Sequence, residues 1–373
     1  MANFALAHAA GSDWRTISEK CLADLIPIAR RSGFAQLGLL YITDHLAGDA
    51  ENILDYVRAK TGIADWVGSV GMGICATGQE YFDLPAVAVL IADLPPDSFR
   101  LLETRQSPAA LPAEIADWAR ARDARFGIVH ADPRNSDILE IITGLADELD
   151  GFLVGGLTSS RGALAQISGE VTSAGVSGVL LAGDVPVMTA LSQSCMPIAP
   201  RRQITACENN VLVELDGRPA LEIFKQDIGE LLAKDLQRIA GYIFAALPIA
   251  NSDTGDYLVR NLTGFDVERQ LLAIGEMVEP GQMIQFCRRD APAAEADLVR
   301  MLGDLKKRMT APAKGGVYFS CLARGPNMFG DASQELKIIE RELGDVPLVG
   351  FFCNGEISHQ RLYTYTGVLT LFT

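Results

Sequence analysis

The sequence predicts a mixed α/β (α+β) fold of two related domains, built from repeated strand-helix-strand-strand units with mixed sheets and helices packed outside. Three observations predict it. A glycine-led apolar strand occurs three times, each is followed by a helical stretch and a strand ending in Val-Gly, and a further apolar strand closes each unit. The step from opening glycine to second glycine is roughly 30 residues in every copy, the length of one strand-helix-strand unit.

The first copy opens with GLLYITD from Gly38, reaches Val67-Gly68, passes Gly78 and Glu80, and closes with AVAVLIAD from Ala86. The second opens with GIVHADP from Gly127. Its Ile138, Ile141, Ile142, Leu145 and Leu149 share one helical face, with Asn135 or Ser136 placed to cap the start. Val154-Gly155, Gly169-Glu170 and SGVLLAGD from Ser177 complete it. The third opens with GVYFSCLARG from Gly316, carries the stripe Leu336, Ile339 and Leu343 behind Asp331 or Ser333, and continues through Val349-Gly350 and Gly355-Glu356 to TGVLTLF from Thr366. Short glycine-containing connections join the last two strands of each unit, which predicts antiparallel pairing there rather than another helical crossover. Gly355, between Asn354 and Glu356, is expected in a tight turn at positive φ.

A different region separates the second and third copies. The Pro-containing segment Cys195 to Gln203 reads as the boundary between a domain of residues 1–198 and one of residues 204–373. Beyond it, VLVELDGRPALEIF carries a hairpin signal at Asp216-Gly217, followed by a helix expected from Leu221 to Ala240. GYIFAALPI, YLVRNLTGF and GQMIQFCRRD read as strands, and Ala293 to Met309 as a helix.

A chain of 373 residues with 49% apolar and 21% charged residues has ordinary globular composition and length enough for two cores. Its formal net charge of -15 and pI near 4.7 repel phosphate backbones and anionic headgroups, which argues against nucleic-acid and membrane partners. The N-terminal stretch has no basic residue before its apolar run, and the longest later apolar run, Ala174 to Leu191, contains Asp184 and Pro186. No secretion signal and no membrane span are expected. Seven scattered cysteines without a C-x-x-C pair point to a reduced, cytoplasmic chain whose thiols are small buried hydrophobes.

Chemistry is sparse. The glycine-rich GSVGMGICATG from Gly68 lacks a P-loop lysine and a following helix, so its glycines are read as tight turns and close strand packing. No G-x-S-x-G elbow or H-E-x-x-H motif is present, so no catalytic residue is assigned. Cys321 and Cys353 at strand ends are the alternative nucleophiles of a thiol-dependent enzyme, with Arg324 and His359 as cations able to partner a thiolate. The richest local mixture is Asp345 to Gly367, where Phe351 and Phe352 stand beside Asn354, Glu356, Ser358, His359 and Arg361. It fits a largely apolar pocket with a few orienting polar groups, or equally a hairpin in which Glu356 only satisfies backbone donors.

The segments GFLVGGLTSS, SGVLLAG, LDGRPALEIF, SCLARGPNMFG and VPLVGFFCNGEI resemble the two halves of FIST-domain proteins, the F-box and intracellular signal transduction family, from about Gly33 to the C-terminus. The resemblance implies a non-catalytic cytoplasmic sensor that reports to a separate protein. The ending GEISHQRLYTYTGVLTLF is similar to nitric-oxide-sensing haemoproteins of NosP type, which implies haem as cofactor, nitric oxide or redox state as signal, and a histidine kinase as partner. Under that reading His359 is the iron ligand, with His130 as runner-up, and Phe351, Phe352, Asn354, Glu356 and Arg324 line the cofactor site. The alternative is a sensor for an amino acid or similar small molecule, its charged ends held by Arg324, Asn354 and Glu356. A homodimer is compatible with either.

Overall fold

The computed structural model describes residues 3–30, 35–233, 235, 236, 239, 241–249 and 256–373. The chain forms two compact units, Met1–Gln193 with Asp297–Thr373, and Ser194–Ala296. The first unit holds three repeats. The first repeat runs β1 (Asn3–Ala10), α1 (Trp14–Ala29), β2 (Ala35–Thr43), α2 (Ala50–Thr61), β3 (Asp65–Gly71), β4 (Gly73–Ala76), β5 (Gln79–Phe82) and β6 (Ala86–Leu94). The second keeps the same order: β7 (Phe99–Arg105), α3 (Ala113–Ala121), β8 (Phe126–Ala131), α4 (Ile138–Leu149), β9 (Phe152–Leu157), β10 (Gln166–Ser168), β11 (Glu170–Thr172) and β12 (Val176–Leu181).

The third repeat begins with β13 (Val187–Gln193) and is interrupted by the second unit. That unit comprises β14 (Cys195–Pro197), β15 (Arg202–Glu208), β16 (Val211–Leu215), β17 (Arg218–Pro219), α5 (Ala220–Ile228), α6 (Glu230–Ala233), β18 (Ile243–Pro248), β19 (Tyr257–Asp266), β20 (Leu271–Ile274) and β21 (Met283–Arg289). The repeat resumes through α7 (Ala291–Arg308), β22 (Gly315–Cys321), α8 (Pro326–Phe329), α9 (Gln334–Leu343), β23 (Leu348–Cys353), β24 (Glu356–Ser358), β25 (Arg361–Tyr363) and β26 (Thr366–Phe372).

In each repeat the opening strand pairs in parallel with the second strand and antiparallel with the closing strand: β2 with β3 and β6, β8 with β9 and β12, β22 with β23 and β26. The sheets are mixed, as expected. The closing strand does not pair with the second strand, because the hairpin between them leaves its own repeat. Hairpin β4-β5 pairs with β23, β24-β25 with β9, and β10-β11 with β3, so the three repeats exchange hairpins in a cycle. The Val-Gly strands have a steric cause. A Cβ at Gly68, Gly155 or Gly350 would lie 1.8, 1.7 or 1.7 Å from the carbonyl oxygen of Leu40, Val129 or Tyr318, so the parallel strands approach closer than any side chain allows.

Alternation along these strands builds two layers. Leu39, Tyr41, Ile128, Val317, Phe319 and Phe351 face one core shared by the three sheets, while Leu40, Ile42, Val129 and Tyr318 face the helices outside. His8 lies in β1, fully paired with β6, and its Nδ1 is 2.6 Å from the Tyr81 hydroxyl. Several local expectations are corrected. Asn135 does not cap α4: its side chain accepts from Asp137 N, and among the described residues no side chain caps that helix. Ser333 stands before α9 at φ 60, but its Oγ accepts from Glu80 N at 2.8 Å instead of from the helix.

The second unit has its own core around Leu215, Leu221, Phe224 and Phe286. Its strands β21, β15, β16, β20, β19 and β18 close on themselves, because β18 returns to pair with β21. Closure removes exposed edges. The Asp216-Gly217 hairpin forms as expected, both residues at positive φ. The helix expected to Ala240 stops at Ile228, where Gly229 turns at φ 83; Lys234, Gln237, Arg238 and Ala240 lie outside the described residues. Among the described residues no helix is long and apolar enough to cross a membrane.

Candidate functional site

Tyr41, His130 and Phe319 each stand three residues beyond the opening glycine of their repeat, and their rings form a near-equilateral triangle with centroids 5.6, 6.1 and 6.3 Å apart. Phe351 lies 5.6 to 5.8 Å from all three. His130 Nε2 is 3.1 Å from the Tyr41 hydroxyl, and among the described residues its Nδ1 has no hydrogen-bond partner. Burial lowers its pKa to about 3, so the imidazole is neutral. This cluster is sealed packing at the meeting point of the repeats.

A second buried cluster forms where β22 ends. Arg324 Nε donates to Glu335 Oε1 at 2.8 Å, Tyr318 and Ser320 hydroxyls donate to the same oxygen at 2.6 and 3.0 Å, and Gly325 N donates to Oε2 at 2.8 Å. Arg324 and Glu335 are both fully buried. Burial opposes the Arg324 charge, but Glu335 and Tyr318 together hold its pKa above the ordinary value. The exchanged hairpin adds Glu80, whose Oε1 accepts from Leu336 N and whose pKa rises to about 8 through burial and the Glu335 charge. Glu356 accepts from Thr366 N and Oγ1 at 3.1 and 2.8 Å, and burial raises it to about 8. Both acids are largely protonated at neutral pH.

Phe352 packs on Phe82 of the exchanged hairpin at 4.4 Å and closes the same region. Cys321 and Cys353 are buried beside Glu356, and burial, then that acid, pushes both thiols well above their usual pKa. His359 is elsewhere. It forms with Gln360 the two-residue loop between β24 and β25, at φ 59, half-buried with its ring 5.2 Å from Phe152. Burial and Arg361 lower its pKa. Asn354 is exposed and uses its backbone N–H on Leu157 O. Gly355 has the expected positive φ, 132°, but it precedes β24 and the hairpin turns at His359-Gln360.

The structure therefore gathers Arg324, Phe352 and Glu356, and leaves Phe351 on the shared core, Asn354 at the surface and His359 at a hairpin tip. A haem on His359 needs an apolar slot beside that ring. Phe351, Phe352, Arg324 and Glu356 are fully buried and engaged with other partners, so this set does not fit haem held by His359. His130 is enclosed by three aromatic rings and offers no slot either.

Open clefts lie on other elements. One of about 420 Å³ runs beside β7 and the start of α3, lined by Leu101, Arg105, Gln106, Pro112, Glu114 and Ile115 among others. Another, of about 520 Å³, is lined by Glu51, Arg134, Leu164 and Ser173 among others, with Arg134 held by Asp132 at 2.6 Å. No motif marks either. Their residues come from strands, loops and the first turns of α2 and α3, which no single periodicity joins.

Residues 36–218 match the FIST N domain and residues 220–359 the FIST C domain. Over 340 residues the chain is 34% identical to an uncharacterized protein of Mycobacterium tuberculosis, covering 87% of each, and 32% identical to one of Mycobacterium bovis, covering 87% of this chain and 86% of that one. Among solved structures, PurLQS from Thermotoga maritima aligns over 99% of this chain and 72% of its own with a TM-score of 0.22 and 11% identity, a likeness that carries no weight for the fold. With both halves matched and the relatives aligned along most of their length, the chain belongs to the FIST family, whose domains serve as sensors in signal transduction.

Proposed function

We propose that the protein is a non-catalytic sensor that binds a small ligand and passes its state to a separate signalling protein, such as a histidine kinase. The observation that carries this reading is the condition of the candidate nucleophiles. A reactive cysteine needs access and a stabilised thiolate, whereas Cys321 and Cys353 are buried with strongly raised pKa values. Arg324 is committed to Glu335, and Glu356, with Oε2 on Thr366, is sealed from solvent, so neither is placed to hold the charged ends of an amino acid. Family membership supports the sensing role.

The test is a thermal-shift screen of the full chain against haemin, amino acids and small organic acids, with each hit assayed for turnover before and after thiol alkylation. A saturable rise in Tm with ligand recovered unchanged supports the reading. Turnover abolished by alkylation overturns it in favour of a thiol enzyme. Haemin is decided by its Soret band: a band present in the wild type and in His8→Ala but lost in His359→Ala restores haem, and nitric oxide, as the signal.

A further inference from the structure

Arg105 ends the edge strand β7 and lines the cleft of about 420 Å³. Its guanidinium is half-buried, and among the described residues its side chain makes no hydrogen bond and no ion pair; Nη1 is shielded from water without a partner. The other arginines of this repeat are matched. Arg100 pairs with Asp97, Arg120 with Asp117, Arg122 with Asp184, Arg125 with Asp123, Arg134 with Asp132, and Arg161 with Asp44. In a chain with 47 acidic and 32 basic residues, an unmatched arginine does not reflect a shortage of carboxylates. Glu148, whose charge acts on Arg105, places both oxygens on Leu111 N at 2.8 and 2.9 Å.

A partly desolvated guanidinium without a partner is costly, and a planar carboxylate satisfies its fork with two parallel bonds. The cleft has the volume of small-molecule sites, about 300–1,000 Å³. Leu101, Pro112 and Ile115 give it an apolar wall, while Glu103 and Glu114 penalise each negative charge beyond the one that Arg105 offsets, which favours a monoanion over a phosphate dianion or dicarboxylate. We propose that this cleft is the ligand site of the sensor and that it takes a small monocarboxylic acid with a compact apolar body, its carboxylate on Arg105 and its hydrocarbon against Leu101, Pro112 and Ile115. The inference rests on the sensor reading and names its site and ligand class.

Isovalerate and benzoate are the probes, with isoamylamine and inorganic phosphate as controls, titrated into the full chain by calorimetry and thermal shift. Both carboxylates are expected to bind saturably and the controls not. Arg105→Gln is expected to weaken carboxylate binding about tenfold or more, while its unliganded Tm stays level or rises because an unpaired cation is removed. Arg105→Lys, which keeps the charge and loses the fork, is expected to bind at an intermediate level. Equal affinity in wild type and Arg105→Gln, or no carboxylate binding at millimolar concentration, overturns the assignment. If another compound of the wider screen binds while no carboxylate does, the site assignment fails and the sensor reading stands. If a carboxylate binds through Arg105 and is turned over, the site stands and the non-catalytic reading fails.

Discussion

A methyl group at Gly155 would sit 1.7 Å from the Val129 carbonyl oxygen, whereas one at Gly144, exposed in the middle of α4, meets nothing within 4 Å. Gly155→Ala is therefore expected to destabilise by ~3 kcal/mol or more, and Gly144→Ala to stabilise by about 0.5–1 kcal/mol, both read from urea unfolding. Phe351→Ala, which empties the shared aromatic core, is expected to cost about 3–5 kcal/mol in the same assay. The buried acids set a pH slope. Glu80 and Glu356 titrate near 8 when folded and near their ordinary 4.5 when unfolded, so between those values the native state keeps protons the unfolded chain has lost. Their contribution is complete below about 4.5 and is lost as pH rises towards 8. Glu356→Gln should flatten this slope in unfolding measured across pH; an unchanged slope would contradict it. His130 acts in the opposite sense, with stability falling as pH drops from 6.5 towards 3. Residue chemistry was only partly legible in advance. Phe351 and Phe352 read as one pocket because they are adjacent, yet adjacent strand residues point to opposite faces, and one meets Tyr41 while the other meets Phe82.

Strand identity was legible where a glycine or an apolar run marks it, as at β2, β8, β22 and their closing partners. Strand pairing was not. A short connection reads as a hairpin closing on its own repeat, but the backbone edge of β9 carries no label for its partner, and β24 from another repeat takes it. The edge strands β1, β7 and β13 and the helices α1 and α3 precede the opening glycines, so each repeat starts earlier than its most visible motif. The exchange predicts coupling at a distance in sequence. Deleting residues 357–362 is expected to raise amide exchange in β9 while β3, which is covered by β10, keeps its protection. Hydrogen-exchange mass spectrometry on the two strands checks this, and equal loss in both would show unfolding of the unit as a whole.

At the scale of the molecule, the third repeat tolerates an insertion because its two ends meet. Gln193 N donates to Asp297 Oδ2 at 2.7 Å, so the chain leaves and re-enters the first unit at one place. Replacing residues 194–296 by a short Gly/Ser linker is expected to leave a first unit that melts cooperatively, as followed by calorimetry. The chain leaves the first unit after Gln193, next to the Pro-containing segment at Cys195 to Gln203. The return has no such neighbour: Asp297 lies inside the continuous helix α7 and no change of composition marks it. The cyclic exchange also bears on how the protein is made. On the ribosome, β23 finds its partner hairpin β4-β5 already synthesised and β3 soon receives β10-β11, but β9 waits until β24-β25, which pairs Glu356 with Gly156, has emerged much later. Until then the nascent chain presents a bare strand edge of the kind that chaperones shield and aggregates recruit. A stop codon just before Glu356 would thus injure the sheet that β8 and β9 begin.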